Sequence, residues 1–182
     1  MGKSIQENAV TLHLQLVHKA YGKQWFSLKA CVKAACKAAF AHEHVSGVEL
    51  SLVLADDAAV KALNRDFRGK DKPTNVLAFP SCAAADSGRM TADKKKTVSR
   101  KPSSVSGGEA AYLGDIIISL DTVAREAKEQ GKPFEHHLAH LVVHACLHLL
   151  GHDHMKKAEA VRMEAKEIAI LKGLGIANPY ED

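Results

Sequence analysis

Seven of the chain's eleven histidines fall between residues 136 and 154, far more densely than a core or a surface requires, so the cluster asks for chemistry. His144 and His148 are four residues apart in a run free of Gly and Pro. On a helix they share one face, roughly 6 Å apart, which lets two imidazoles reach one cation. Gly151 is the residue type that ends a helix in a left-handed conformation, and such a reversal lets His154 return to the pair. Had the helix continued, His154 would point roughly 120° away from His148. The H-x3-H-x5-H spacing with a glycine in its last gap thus supplies three neutral nitrogen ligands and leaves a fourth position for water, the pattern of a catalytic zinc. A structural zinc is usually closed by four ligands with cysteine prominent, and Cys146 is displaced by roughly 160° around the helix from His144.

A lone histidine on an apolar helix face is more often a satisfied core residue than a ligand, and it is the trio with Gly151 that outweighs that reading. His140 shares the face of His144 one turn back and is expected to pack or to support. His152, in the turn, is expected near substrate, and His136 and His137 on the helix surface. A zinc protease of the H-E-x-x-H type carries its general base directly after the first ligand. Here that place holds Ala145, so another acidic group, or the water on the metal, must do that work. Asp153 is the nearest candidate, with partnership to a ligand imidazole as its other reading.

The elements that must position these residues follow from periodicity. Val10 to Val17 alternates Val10, Leu12, Leu14 and Leu16 with mostly polar neighbours and predicts a half-buried strand. Ser27 reads as the N-cap of an alanine-rich helix from Leu28 to Phe40. Val48 to Leu54 is a second strand, followed by a short helix capped by Asp56 and ending near Arg68 and Gly69. Asn75 to Phe79 is an edge strand, and Tyr112 to Ser119, with Ile116, Ile117 and Ile118, is a central one. A helix from Asp121 to about Gln130 stops at Gly131 and Pro133, and the next, from Pro133 to Leu150, is apolar on several sides and must be the central buried helix. The last helix runs from about Lys156 to Lys172 with Val161, Ile168 and Leu171 on its inner side. This order does not alternate cleanly, so the expected class is α+β: a small mixed sheet of about four strands on helices, the central helix carrying the metal ligands in a metalloprotease-like arrangement.

A chain of 182 residues, 46% hydrophobic and 25% charged, predicts one soluble domain over residues 1–182. The net charge of +4 is misleading, because residues 81–108 hold six basic and two acidic groups and leave nineteen of each sign elsewhere. That Ser-, Gly-, Ala- and Lys-rich stretch is expected to be a disordered basic insertion, and any affinity for RNA must rest on local patches. Cys31, Cys36, Cys82 and Cys146 form no close pair and are expected as reduced thiols. With no apolar leader at the start and no stretch long enough to cross a bilayer, the expected location is the cytoplasm, with no membrane partner.

His144-Ala-Cys-Leu-His148-Leu-Leu-Gly151-His152-Asp153-His154 closely resembles the signature of the YbeY endoribonucleases, the bacterial rRNA maturation factors. Asn64 to Pro80 is similar to that family's second signature and Leu113-Gly114-Asp115-Ile116 to its third. The family usually has Gly at Ala145 and Tyr at His152, and the 81–108 stretch is longer than the family's pattern. The resemblance implies a single-strand-directed endoribonuclease acting in 16S rRNA 3′-end maturation and ribosome quality control, with one zinc on His144, His148 and His154. Its partners would be 16S rRNA precursor, ribosomal subunits and a ribosomal or assembly-factor protein. It also picks out Arg68 as the basic residue of the active cleft, where a guanidinium could hold a phosphate bidentately. A cation in the last turn of a helix is favourable in any case. Lys70 and Lys72 would extend a positive rim for the RNA backbone. The rival functions are a zinc hydrolase of another substrate class, such as an amidase, and a noncatalytic ribosome-assembly factor with a structural metal.

Overall fold

The computed structural model describes residues 10–81, 110–152, 154 and 156–181. Its strands are β1 (Val10–Leu16), β2 (Val48–Ala55), β3 (Val76–Pro80) and β4 (Ala111–Ser119). They form one mixed sheet in the order β1-β2-β4-β3, with β1, β2 and β4 parallel and β3 antiparallel on the edge. The helices are α1 (Trp25–His42), α2 (Asp57–Arg68), α3 (Leu120–Glu129), α4 (Phe134–Leu149) and α5 (Lys157–Gly173). This is the α+β class with a small mixed sheet that the element order predicts.

Strand alternation sends the two sheet faces to two cores of unequal size. Leu50, Leu52 and Leu54 of β2 and Ile116 and Ile118 of β4 meet α1 and α4 in the main core. On the other face Ala55 and Leu77 meet Val60 of α2, with Val53, Ile117 and Phe79 around them. α4 is central, as its all-round apolarity predicts, and it packs on α1, α3, α5 and β3. Along it the half-buried positions after the first turn are His136, His140, His144 and His148, every fourth residue, while the positions between are buried. One stripe of an otherwise enclosed helix is thus open, and it is made of histidine.

The helix boundaries follow local rules with some corrections. Asp56 caps α2 by accepting from the Ala59 amide at 2.8 Å, and Gly69 closes it at φ 66° with bonds to the Arg65 and Asn64 carbonyls. Ser27 is not the cap of α1: the helix begins at Trp25, because a 3-10 turn (Lys19–Gln24) runs straight into it and the Trp25 amide is satisfied by Gly22. The Ser27 hydroxyl instead donates back to the Gln24 carbonyl at 3.0 Å. Pro133 stands just before α4 as its N-cap instead of opening the helix. Of the inner face expected for α5, Leu171 is buried as expected, but Val161 is 57% exposed and Ile168 only half-buried; the buried residues of the helix are Met163, Glu167, Ile170 and Leu171. A carboxylate inside that stripe hides it from a search for apolar periodicity. His137 is likewise buried instead of on the surface, its Nε2 bonded to Glu126 of α3 at 2.7 Å, because α3 covers that side of α4.

The Leu113-Gly114-Asp115 segment has a steric cause. β4 carries an extra residue opposite the Glu49–Leu50 step, so that Glu49 pairs with Tyr112 and Leu50 with Gly114. Gly114 has φ 133°, and a Cβ there would run into the Phe79 carbonyl oxygen and the Ser81 amide. Only glycine lets β3 lie this close to β4. Apart from Ser81, the expected disordered insertion at 81–108 lies outside the described residues.

Candidate metal centre

The end of α4 builds the site. The Gly151 amide bonds to the His148 carbonyl at 3.0 Å and the His152 amide to the Leu147 carbonyl at 3.0 Å, with Gly151 at φ 85°. The reversal expected of Gly151 therefore takes place, and it brings His154 back over the helix end. The His154 ring centroid lies 4.9 Å from that of His148 and 5.5 Å from that of His144. One nitrogen from each of the three rings lies within 4.8 Å of the other two. The Nε2 atoms of His144 and His148 are 3.1 Å apart. Two nitrogens bound to one tetrahedral ion at about 2.0 Å would be about 3.3 Å apart, so the pair already has a ligand spacing. Among the described residues the group that could hold an ion consists of these three imidazoles, a set that suits a divalent ion with an exchangeable position, and His154 is exposed.

What aims His144 is a residue that spacing alone did not reveal. Its Nδ1 donates to Glu167 Oε1 of α5 at 2.7 Å, which leaves the Nε2 lone pair pointing at the other two rings. Glu167 is fully buried and accepts two more bonds, from His140 Nε2 at 2.9 Å and from the Tyr180 hydroxyl. Burial pushes this carboxyl up, but the bonds from His140, His144 and Tyr180 outweigh it and hold the group at about 2. Glu167 is therefore a fixed anion. The Tyr180 hydroxyl is pushed well above its ordinary value, by burial first and then by Glu167, and remains a donor. His140 takes the supporting place expected of it.

A second buried carboxylate holds the turn. Glu43, just past α1 and 4% exposed, accepts from His152 Nε2 at 2.9 Å, from His42 Nδ1 at 3.1 Å and from the Lys166 ammonium. Burial raises it, but the bonds from Lys166, His152 and His42 prevail and bring it to about 2. His152, expected near substrate, is thus tied to α1 through one nitrogen. Asp153 lies outside the described residues. Cys146 faces away from the trio, its Sγ 3.8 Å from that of Cys36 in the core.

A cavity of about 260 Å³ opens beside the trio, lined by His144, His154, Ala160, Met163, Glu164, Glu167 and Tyr180. Arg68 ends α2 and, with Lys70 and Lys72, is exposed; none of the three lines this cavity. Phe67, beside Arg68 and 68% exposed, meets Phe79 of β3 with ring centroids 5.2 Å apart. β3 also packs on α4.

The family model described as Endoribonuclease YbeY matches residues 16–175. The Endoribonuclease YbeY of Parvibaculum lavamentivorans is 49% identical over 132 residues, 72% of this chain and 65% of that protein's length. That of Magnetococcus marinus is 49% identical over 134 residues, 73% of this chain and 83% of that protein. The solution structure of TM1509 from Thermotoga maritima is 21% identical, with a TM-score of 0.50 over 94% of this chain and 100% of that one, a likeness of fold alone. No helix among the described residues is long and apolar enough to cross a membrane. With a match from residue 16 to residue 175, taking in the three histidines and the strands and helices that aim them, the chain belongs to the endoribonuclease YbeY family.

Proposed function

We propose that this protein is a zinc-dependent endoribonuclease that cuts single-stranded RNA. We further assign it to 3′-end maturation of 16S rRNA precursor and to ribosome quality control in the cytoplasm, with ribosomal subunits and an assembly factor as partners. The observation that carries the reading is the group of three imidazoles with His144 oriented by a buried carboxylate, in a chain whose relatives are named Endoribonuclease YbeY.

His144, His148 and His154 would hold the ion, and the donor set, three neutral nitrogens, fits zinc better than a hard oxygen-seeking cation. Bound there, zinc supplies a Lewis acid for a phosphoryl oxygen and lowers the pKa of a water. Glu167 keeps His144 in the tautomer that can bind. Among the described residues the cavity wall carries two carboxylates, Glu164 and Glu167; Glu167 is engaged by three donors, so Glu164 is the candidate of the two to take a proton. Asp153 keeps its reading as a base or a partner to a ligand ring. Arg68 pairs with the non-bridging phosphate oxygens and counters the charge that builds as phosphorus becomes five-coordinate. Lys70 and Lys72 track the backbone, and the partial exposure of His152, 22% of its side chain, supports a place for it beside the substrate although its Nε2 is held by Glu43. The exposed Phe67 ring among these cations offers an unpaired base a face to stack on, which favours a single strand over a duplex.

The test compares wild type and Arg68→Ala for metal content and for cleavage of a defined single-stranded RNA. Retained zinc with cleavage lost by about a hundredfold or more is expected of a phosphate clamp. Unchanged cleavage removes Arg68 from the mechanism, and absence of cleavage by the zinc-loaded wild type overturns the assignment. Product ends carrying a 2′,3′-cyclic phosphate would identify the ribose hydroxyl, and not water, as the nucleophile.

A further inference from the structure

Three donors meet on the buried Glu167 carboxylate, and one of them comes from the C-terminal segment, beyond the 16–175 stretch that matches the family. We propose that this segment is a working part of the metal centre: Tyr180 is a positioning residue that locks Glu167, and through it the His144 ring, in the orientation that holds the ion. The inference rests on the reading that the histidine trio binds zinc.

A carboxylate can rotate about its last side-chain bond, and a ring that donates to it can rotate with it. Glu167 is stopped from doing so because its oxygens are held from two directions. Oε1 takes His144 Nδ1 of α4 at 2.7 Å, while Oε2 takes His140 Nε2 at 2.9 Å and the Tyr180 hydroxyl from the tail. The tail is itself anchored at successive points. The Ile176 amide bonds to the Leu171 carbonyl at 3.0 Å, Leu174 and Ile176 pack on the core, Lys132 Nζ donates to the Pro179 carbonyl at 2.6 Å, and the Tyr180 amide donates to Asn178 Oδ1 at 3.1 Å. The Tyr180 ring then stands edge-on to His140, centroids 5.4 Å apart at 82°, and walls the same cavity as His144 and His154. A phenylalanine would keep this ring contact and the anchors but lose the third donor.

The experiment uses the full chain, stripped of metal and titrated with zinc against a chromophoric chelator, for wild type, Tyr180→Phe, Tyr180→Ala and Glu167→Gln. Outer partners of a ligating histidine typically govern metal affinity by about 10–100-fold, which is the range expected for Glu167→Gln. Tyr180 acts one bond further from the ion, so Tyr180→Phe should weaken zinc by about tenfold, the low end of that range, and Tyr180→Ala by at least as much. Urea unfolding of the zinc-free proteins is run beside it. A tail that serves only stability would lower the unfolding midpoint of Tyr180→Phe and leave its zinc affinity at the wild-type value, and that result overturns the proposal. So does wild-type affinity with no change in the midpoint. A wild-type chain that takes up no zinc sinks the metal reading and this inference together, whereas normal wild-type uptake with an unchanged Tyr180→Phe affinity sinks this inference alone.

Discussion

Replacing Glu43 by Gln asks how strongly charge holds the turn that delivers His154. The carboxylate is 4% exposed and joins the end of α1 to His152 in the turn and to Lys166 on α5. Burial raises its pKa, its three donors outweigh that, and it comes to rest at about 2. An unfolded Glu titrates near about 4.3. Because the folded value lies below the unfolded one, the carboxylate's contribution is complete above about pH 5 and is lost as the pH falls toward 2. A little over two units at about 1.36 kcal/mol each gives a contribution of about 3 kcal/mol at neutral pH, a large part of a typical total of roughly 5–15 kcal/mol. Between about pH 5 and about pH 3 the linkage relation removes about 1.5 kcal/mol of it. Urea unfolding of the zinc-free protein across that range measures this directly. The wild type should lose about 1.5 kcal/mol more than Glu43→Gln does, and the variant should start out less stable at pH 7 because Lys166 loses its counter-charge. Parallel pH profiles for the two proteins would refute the reasoning.

Two further predictions concern the framework and the ligands. Gly114→Ala should force β3 away from β4, since its Cβ meets backbone atoms of Phe79 and Ser81; a loss of about 2 kcal/mol or more is expected in thermal or urea unfolding, and a wild-type midpoint would contradict the packing. His144→Ala should abolish zinc uptake while circular dichroism still shows a folded chain, with the zinc-free unfolding midpoint lowered because the buried Glu167 loses the donor on Oε1; zinc uptake at the wild-type level would remove His144 from the ligand set.

Short-range physics made much of this protein legible before any coordinates. Asp56 and Gly69 mark the ends of α2 because a cap and a left-handed stop depend on neighbours in sequence. The same holds for the trio: a four-residue spacing on one helix and a glycine reversal are local, so the sequence by itself brings His144, His148 and His154 together. The face of α5 was not legible, because Glu167 interrupts the apolar stripe in which it sits, and its burial makes sense only with His140, His144 and Tyr180 around it. Gly114 belonged to a recognisable segment, but its reason, the close approach of β3, comes from strand pairing. Sequence therefore determined which side chains could bind an ion. Tertiary structure alone decided which carboxylate orients a ligand ring and which holds the turn, because Glu167 and Glu43 reach His144 and His152 across contacts 23 and 109 residues apart in the chain, and the packing of α1, α4 and α5 sets those distances.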